Sequence, residues 1–292
     1  MKPPKFTYHA PRSVQEALDL LAERGPEAKV LAGGQSLVPV LAMRLATPEN
    51  IIDINRLEPE LGEVRVDAGG VTIGALVRHA RLEHDDEAAA RVPLLRQALG
   101  HVAHPTIRNR GTTVGSLVHA DPAAEMPAVL TLLGGTVTAR SAEGERTLDA
   151  AEFFAGPMES SLREDELAVS AHFPAPQGRF GTYFDELARR RGDYAMAGVA
   201  AVAVLDEADA FTSLQVSLVS VTDVPQVLDL TELVAGARWE DVDAAALGEH
   251  VRDTVETEGD LHASADYRRH LAGVLTRRAA RQSAMRAKER AV

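Results

Sequence analysis

A chain of 292 residues with 45% hydrophobic and 25% charged residues is long enough for two or three small cores and falls in the globular range. Its net charge of −12 and aromatic content of 4% argue against a general nucleic-acid binder, because phosphate repulsion would dominate and few rings could stack on bases. With no cysteine, the chain itself carries no disulfide, no thiolate metal site and no iron–sulfur cluster.

From the N-terminus, Ser13 to Glu16 form an S-x-x-E capping box that opens a helix with Val14, Ala17, Leu18 and Leu21 on one face, ended by Gly25. The stretch AKVLAGGQSLVPVLAMRLA reads as a buried strand, a glycine turn and a helix from near Ser36, and NIIDI is the next strand. Together these predict β-α-β-α-β over about residues 1–56, with a small parallel sheet. Between Glu63 and Phe173 the segments VRVDAGGVTIGA, GGTVTARSAEGERTL and ELAVSAHFP predict antiparallel strands, interrupted by one helix from about Arg91 to His101. PAPQGRF, residues 174–180, has the prolines and glycine of a linker. Beyond it AMAGVAAVAVL and SLQVSLVSV predict a meander, followed by helices over residues 239–257 and 265 to about 289. The divisions fall at 1–175, split at about 56, and 180–292. No apolar run is long enough to span a membrane, and MKPPKFTYHAPRS lacks the apolar stretch of a secretion signal, so the cytoplasm is the expected compartment.

Residues 109–130, NRGTTVGSLVHADPAAEMPAVL, are crowded with small side chains. That composition suits neither a helix nor a plain strand, and predicts that something other than protein packs on this backbone. The AGGQS turn, Ala32 to Ser36, follows a strand and precedes a helix, where main-chain N–H groups can approach an anion. It lacks the spacing of a Rossmann or P-loop motif. GTTVGS is a second turn of the same kind, and two such turns suit a diphosphate clamped from both sides. Elsewhere, His101 and His104 lack an evident third metal ligand, so no metal site is expected. Ser116, His119 and Asp121 are too close in sequence, and lack the nucleophile elbow, for a hydrolytic triad. Arg189 to Arg191 read as a solvated patch.

AGGQSLVPVLAMRL, TIRNRGTTVGSLVHADPAAEMPAVL, ARRRGDYAMAGVA and the closing ADYRRHLAGVLTRRA together resemble the FAD-binding medium subunit of the molybdenum hydroxylases, in the branch named after aerobic carbon monoxide dehydrogenase. The resemblance runs the full length. It implies an α+β architecture: a two-subdomain FAD-binding fold of the vanillyl-alcohol-oxidase (PCMH) type, then a C-terminal three-stranded antiparallel sheet with helices. Residues 1–175 become the FAD-binding domain and 180–292 the carbon monoxide dehydrogenase flavoprotein-like domain. The first diphosphate loop falls on Ala32, Gly33, Gly34, Gln35 and Ser36; the second, usually T-[IV]-G-G-[SN], on Thr112, Thr113, Val114, Gly115 and Ser116. The acidic residue near the ribityl chain falls on Glu125, with Asp121 close by, and Tyr194 matches a tyrosine near the isoalloxazine ring.

Two departures stand out. Val114 replaces the first glycine of the Gly-Gly pair, which is costly for a β-branched residue if φ is positive there. Asp185 and Glu186 stand where relatives often carry a lysine, which removes positive charge near the flavin. The resemblance implies an electron conduit with non-covalent FAD, the molybdopterin and [2Fe–2S] clusters being carried by a large and a small partner subunit. Two other readings are a free-standing flavoenzyme acting on a small biosynthetic substrate and a flavin-free binding or scaffold protein.

Overall fold

The computed structural model describes residues 2–290. Near the N-terminus lies the small parallel sheet that the β-α-β-α-β pattern predicts, three-stranded, with Asn50–Asp53 between Thr7–His9 and Ala28–Leu31. The helix Val14–Arg24 is started by Ser13, whose Oγ accepts from the Glu16 amide at 3.1 Å. It buries Val14, Ala17, Leu18 and Leu21, the face marked by their spacing. Leu37–Ala42 is the second helix, with Ser36 at its cap.

A five-stranded antiparallel sheet follows, in the order Val64–Val66, Gly70–Gly74, Leu167–Pro174, Thr136–Ser141, Gly144–Asp149. Its strands are those read from the sequence, but the segment between its second and fourth members is far more helical than expected. In place of one helix there are six: His79–Glu83, Asp86–Arg91, Pro93–Leu99, Pro105–Arg108, Thr113–His119 and Glu125–Leu132. The small-residue stretch itself therefore folds as two short helices. Thr112 caps the first, its Oγ1 accepting from Gly115 N at 3.2 Å. The second buries every residue from Met126 to Leu132, so tertiary burial overrides weak intrinsic propensity.

The last sheet has the antiparallel order Arg179–Ala188, Ala195–Leu205, Phe211–Val219, Val227–Asp229. Its fourth strand, three residues long, is too short to leave an alternating pattern and adds one strand to the three expected. The alanine-rich strand is buried on both faces, which accounts for its unbroken apolar run. Ala200 and Val202 face the core shared with the N-terminal sheets, whereas Ala197, Val199, Ala201 and Ala203 face two helices. Those helices are Ala244–Thr254, preceded by a single 3-10 turn at Trp239–Asp241, and the long Ala265–Glu289. A Cβ at Gly273 would lie 2.5 Å from the Gly248 carbonyl oxygen, so the two helices touch backbone to backbone.

Candidate functional site

The first glycine turn sits at the C-terminal end of the parallel strand Ala28–Leu31, where open sheets collect ligands. Gly34 takes φ 73°, a left-handed conformation that glycine adopts without strain. Among the described residues, no protein acceptor takes the backbone amides of Gly33, Gly34, Gln35 or Ser36. Gly33 is required for a second reason: a Cβ there would lie 2.5 Å from the Arg110 carbonyl oxygen and 2.8 Å from Gly111 Cα. The two glycine loops, far apart in sequence, are thus in backbone contact.

The second loop is the cap and first turn of the helix Thr113–His119 rather than an open turn. Val114 is its second helical residue, 1% exposed, and is not among the residues with positive φ. The conformational cost anticipated for a β-branched residue does not arise, because the helix supplies a right-handed backbone that valine adopts readily. Thr113 is turned away from the open side: it is fully buried, and its Oγ1 lies 3.1 Å from His79 Nδ1.

Between the loops and the start of the strand Ala195–Leu205 lies a cavity of about 850 Å³. Ala32, Gly33, Gly34, Gln35, Ser36, Thr112, Val114, Gly115, Ser116, Asp121, Glu125 and Tyr194 all line it; of the candidate residues only Thr113 does not. Tyr194 is 69% exposed at the turn before that strand. Glu125 begins the helix Glu125–Leu132. Its carboxyl is pushed up to about 8, first by burial and then by the neighbouring charge of Glu186, with Asp121 adding and Arg108 opposing.

Asp185 and Glu186 separate, as neighbours on a strand must. Asp185 bonds Arg278 of the long C-terminal helix at 2.7 Å, so it does not bear on the cavity. Glu186 turns inward, its side chain 7% exposed and its Oε1 3.6 Å from His101 Nδ1. Only one of the two acidic residues therefore alters the charge around the cavity. Among the described residues no cluster of three or more His, Asp or Glu could hold a metal ion. Arg189 and Arg190 each approach Asp193, at 3.9 and 3.6 Å.

The sequence reading missed His79, which is 4% exposed and lines the cavity floor. Burial first, and Arg108 second, lower its pKa to about 4 and keep the imidazole neutral. Its one signal in the sequence is its position at the end of the apolar run VTIGALV, just where the chain turns into helices.

Residues 4–176 match the sequence family described as the FAD-binding domain in molybdopterin dehydrogenase, and residues 182–283 match the CO dehydrogenase flavoprotein C-terminal domain. The chain belongs to the FAD-binding medium subunits of the molybdenum hydroxylases. Among relatives, it is 37% identical over 289 residues to the caffeine dehydrogenase subunit beta of Pseudomonas sp. (strain CBB1), covering 98% of this chain and 97% of the relative. It is 36% identical over 281 residues to the carbon monoxide dehydrogenase medium chain of Hydrogenophaga pseudoflava, with 96% and 97% coverage. In three dimensions it superposes on a carbon monoxide dehydrogenase chain from that organism with TM-score 0.90 and 35% identity, covering 98% of this chain and 99% of the other. A chain of quinoline 2-oxidoreductase from Pseudomonas putida 86 matches with the same TM-score, identity and coverage.

For a medium subunit of this family the decisive question is whether the residues present fit FAD, and they do. The cavity is within the size range of cofactor sites. Amides that no protein acceptor takes among the described residues belong to its lining, as an anion requires. Apolar side chains and the carboxyl groups of Asp121 and Glu125 line it as well, a mixture against which a ring system of limited charge can lie. No helix among the described residues is long and apolar enough to cross a membrane.

Proposed function

We propose that this chain is the electron-transfer subunit of a molybdenum hydroxylase, holding FAD non-covalently. In this reading it takes electrons from the [2Fe–2S] clusters of a small partner subunit, reduced in turn by a molybdopterin-bearing large subunit, and passes them to an external acceptor. The single observation that carries the reading is the pair of loops in backbone contact, with amides of Gly33 to Ser36 that no protein acceptor takes among the described residues, on a cavity that Tyr194 also lines. Ala32 to Ser36 and Thr112 to Ser116 would hold the diphosphate, Asp121 and Glu125 the ribityl region, and Tyr194 the ring. The chain divides accordingly into an FAD-binding part, residues 1–175, and a C-terminal part, residues 180–292.

Bound flavin supplies the redox chemistry; the protein's share is position and electrostatics. Backbone N–H groups offset the diphosphate charge without adding a cation that would compete for water. A chain without cysteine has no cluster of its own, which fits a subunit that depends on partners for electrons. The named relatives act on caffeine and carbon monoxide, substrates with nothing in common, so what this subunit shares with them is the flavin step and not the substrate.

Titration of the purified chain with FAD tests the first part: one FAD should bind per chain, and denaturation should release all the yellow colour into the supernatant. Colour left on the precipitated chain would contradict non-covalent binding. Co-expression with the large and small subunits of a molybdenum hydroxylase from the same source tests the second, since a complex should co-purify and its FAD should bleach on adding the substrate of the large subunit.

A further inference from the structure

Arg78 lies behind the two glycine loops and belongs to neither. It follows the strand Gly70–Gly74 by four residues, and its backbone pairs with Thr112 in an isolated bridge. Its guanidinium donates to the carbonyl oxygen of Arg110 and, at 2.6 Å, to Oδ1 of Asn55. Asn55 donates from Nδ2 to the carbonyl oxygen of Ala32 at 2.8 Å and is itself held by Asp53, which accepts from the Tyr8 hydroxyl at 2.6 Å. One guanidinium therefore takes a carbonyl oxygen of the first loop, through a single amide, and directly that of Arg110, which leads into the second.

The two adjacent carbonyls are taken as well. Gly33 O accepts from Gln35 Nε2 at 3.1 Å, and Gly111 O accepts from the His79 amide at 3.0 Å. In a trans peptide the C=O and the following N–H point in opposite directions. Fixing the oxygens of Ala32, Gly33 and Gly111 into the protein therefore turns the amides of Gly33, Gly34 and Thr112 the other way; of these Arg78 governs that of Gly33, through Asn55, whereas the peptide it bonds directly, Arg110–Gly111, has its N–H taken by Ile107 O at 2.7 Å. Among the described residues, none of those three amides donates to a protein acceptor.

We infer that Arg78 is a positioning residue for the diphosphate of a bound dinucleotide, holding the Ala32 oxygen inward through Asn55 so that the Gly33 N–H faces the anion, and tying that loop to the backbone of Arg110 at the entrance of the second. The inference rests on reading the cavity as an FAD site. Guanidinium is suited to the task because it stays charged and presents several donors in one plane. A brace that served folding alone would affect every ligand equally and would show in thermal stability. A brace that orients amides affects ligands carrying the diphosphate and spares the rest.

The test compares wild type, Arg78→Met and Arg78→Lys by fluorescence titration with FAD, with ADP as competitor and riboflavin as a ligand lacking phosphate, alongside melting temperatures. Loss of the charged hydrogen bonds should weaken FAD and ADP binding about tenfold or more in Arg78→Met, with riboflavin affinity and melting temperature little changed. Lysine can reach one acceptor but not both, so Arg78→Lys should fall between. FAD and ADP affinities at the wild-type level in Arg78→Met, or equal losses for all three ligands, overturn the inference. Should Arg78→Met fail to fold, the lysine variant decides: an intermediate FAD affinity supports the brace and wild-type affinity refutes it. A wild-type chain that binds neither FAD nor ADP sinks the FAD reading itself, a result distinct from any of these.

Discussion

Glu186 and His101 face each other across the junction of the C-terminal sheet with the helical segment, Oε1 and Nδ1 3.6 Å apart, and the other carboxylate oxygen of Glu186 is buried without a hydrogen-bond partner among the described residues. A buried carboxylate so poor in hydrogen bonds imposes its charge on its neighbours. Glu125 is the neighbour that responds.

Glu125 titrates at about 8 in the folded chain against an ordinary 4.5, so between those values the folded state holds a proton that the unfolded state has lost. Its stabilising contribution is complete below the ordinary value and disappears as pH rises through about 8. The melting temperature of the cofactor-free chain should therefore fall over this interval. Glu125→Gln should flatten the dependence, and an unchanged slope in the variant would assign it to another group.

Gly33→Ala should separate the two loops, since the new methyl would lie 2.5 Å from the Arg110 carbonyl oxygen. Relieving that overlap should cost on the order of 1–3 kcal/mol in stability. FAD affinity should fall with it, because the geometry of both loops changes together. Urea unfolding and FAD titration of the same preparation check both halves.

Val114→Gly should be destabilising by about 2–4 kcal/mol, through loss of a buried side chain and of helix propensity. Valine at 1% exposure in a helix with right-handed backbone leaves glycine nothing to relieve. No gain in FAD affinity should accompany the loss. Tighter binding in this variant would show that the valine side chain, and not its backbone, opposes the cofactor.

Tyr194→Phe should change stability by less than about 0.5 kcal/mol, as for other exposed sites. Tyr194 is 69% exposed, and among the described residues only its backbone amide, not its hydroxyl, enters a hydrogen bond. With FAD bound, loss of the hydroxyl should shift the flavin absorption bands or the midpoint potential. A lowered melting temperature with an unchanged spectrum would place Tyr194 in packing instead.

What could be read from sequence was local. Ser13 with Glu16, the apolar spacing of the first helix and the paired glycines at 33 and 34 each specify their structure within a few residues. The helices at 113–119 and 125–132 were hidden because their stability comes from burial of Leu117 and Met126 to Leu132 by partners distant in the chain, against the preference of their small residues. The brace was equally hidden: Asn55 and Ala32 are 23 residues apart, and Arg78 and Arg110 are 32 apart. Asn55 left one clue, its place just after a parallel strand, where side chains converge on ligand loops. Asp185 and Glu186 looked alike as a pair, and only the strand's alternation assigned one to Arg278 and the other to the interior.

The alanine-rich strand, clad on one side by the N-terminal core and on the other by helices, makes the two portions of the chain joint owners of one sheet. A fragment ending near residue 176 would keep both glycine loops yet lose the layer that covers Leu94, Val129 and their neighbours in the shared core. Such a fragment would shed the wall bearing Tyr194 and bare an oily face to solvent, inviting aggregation.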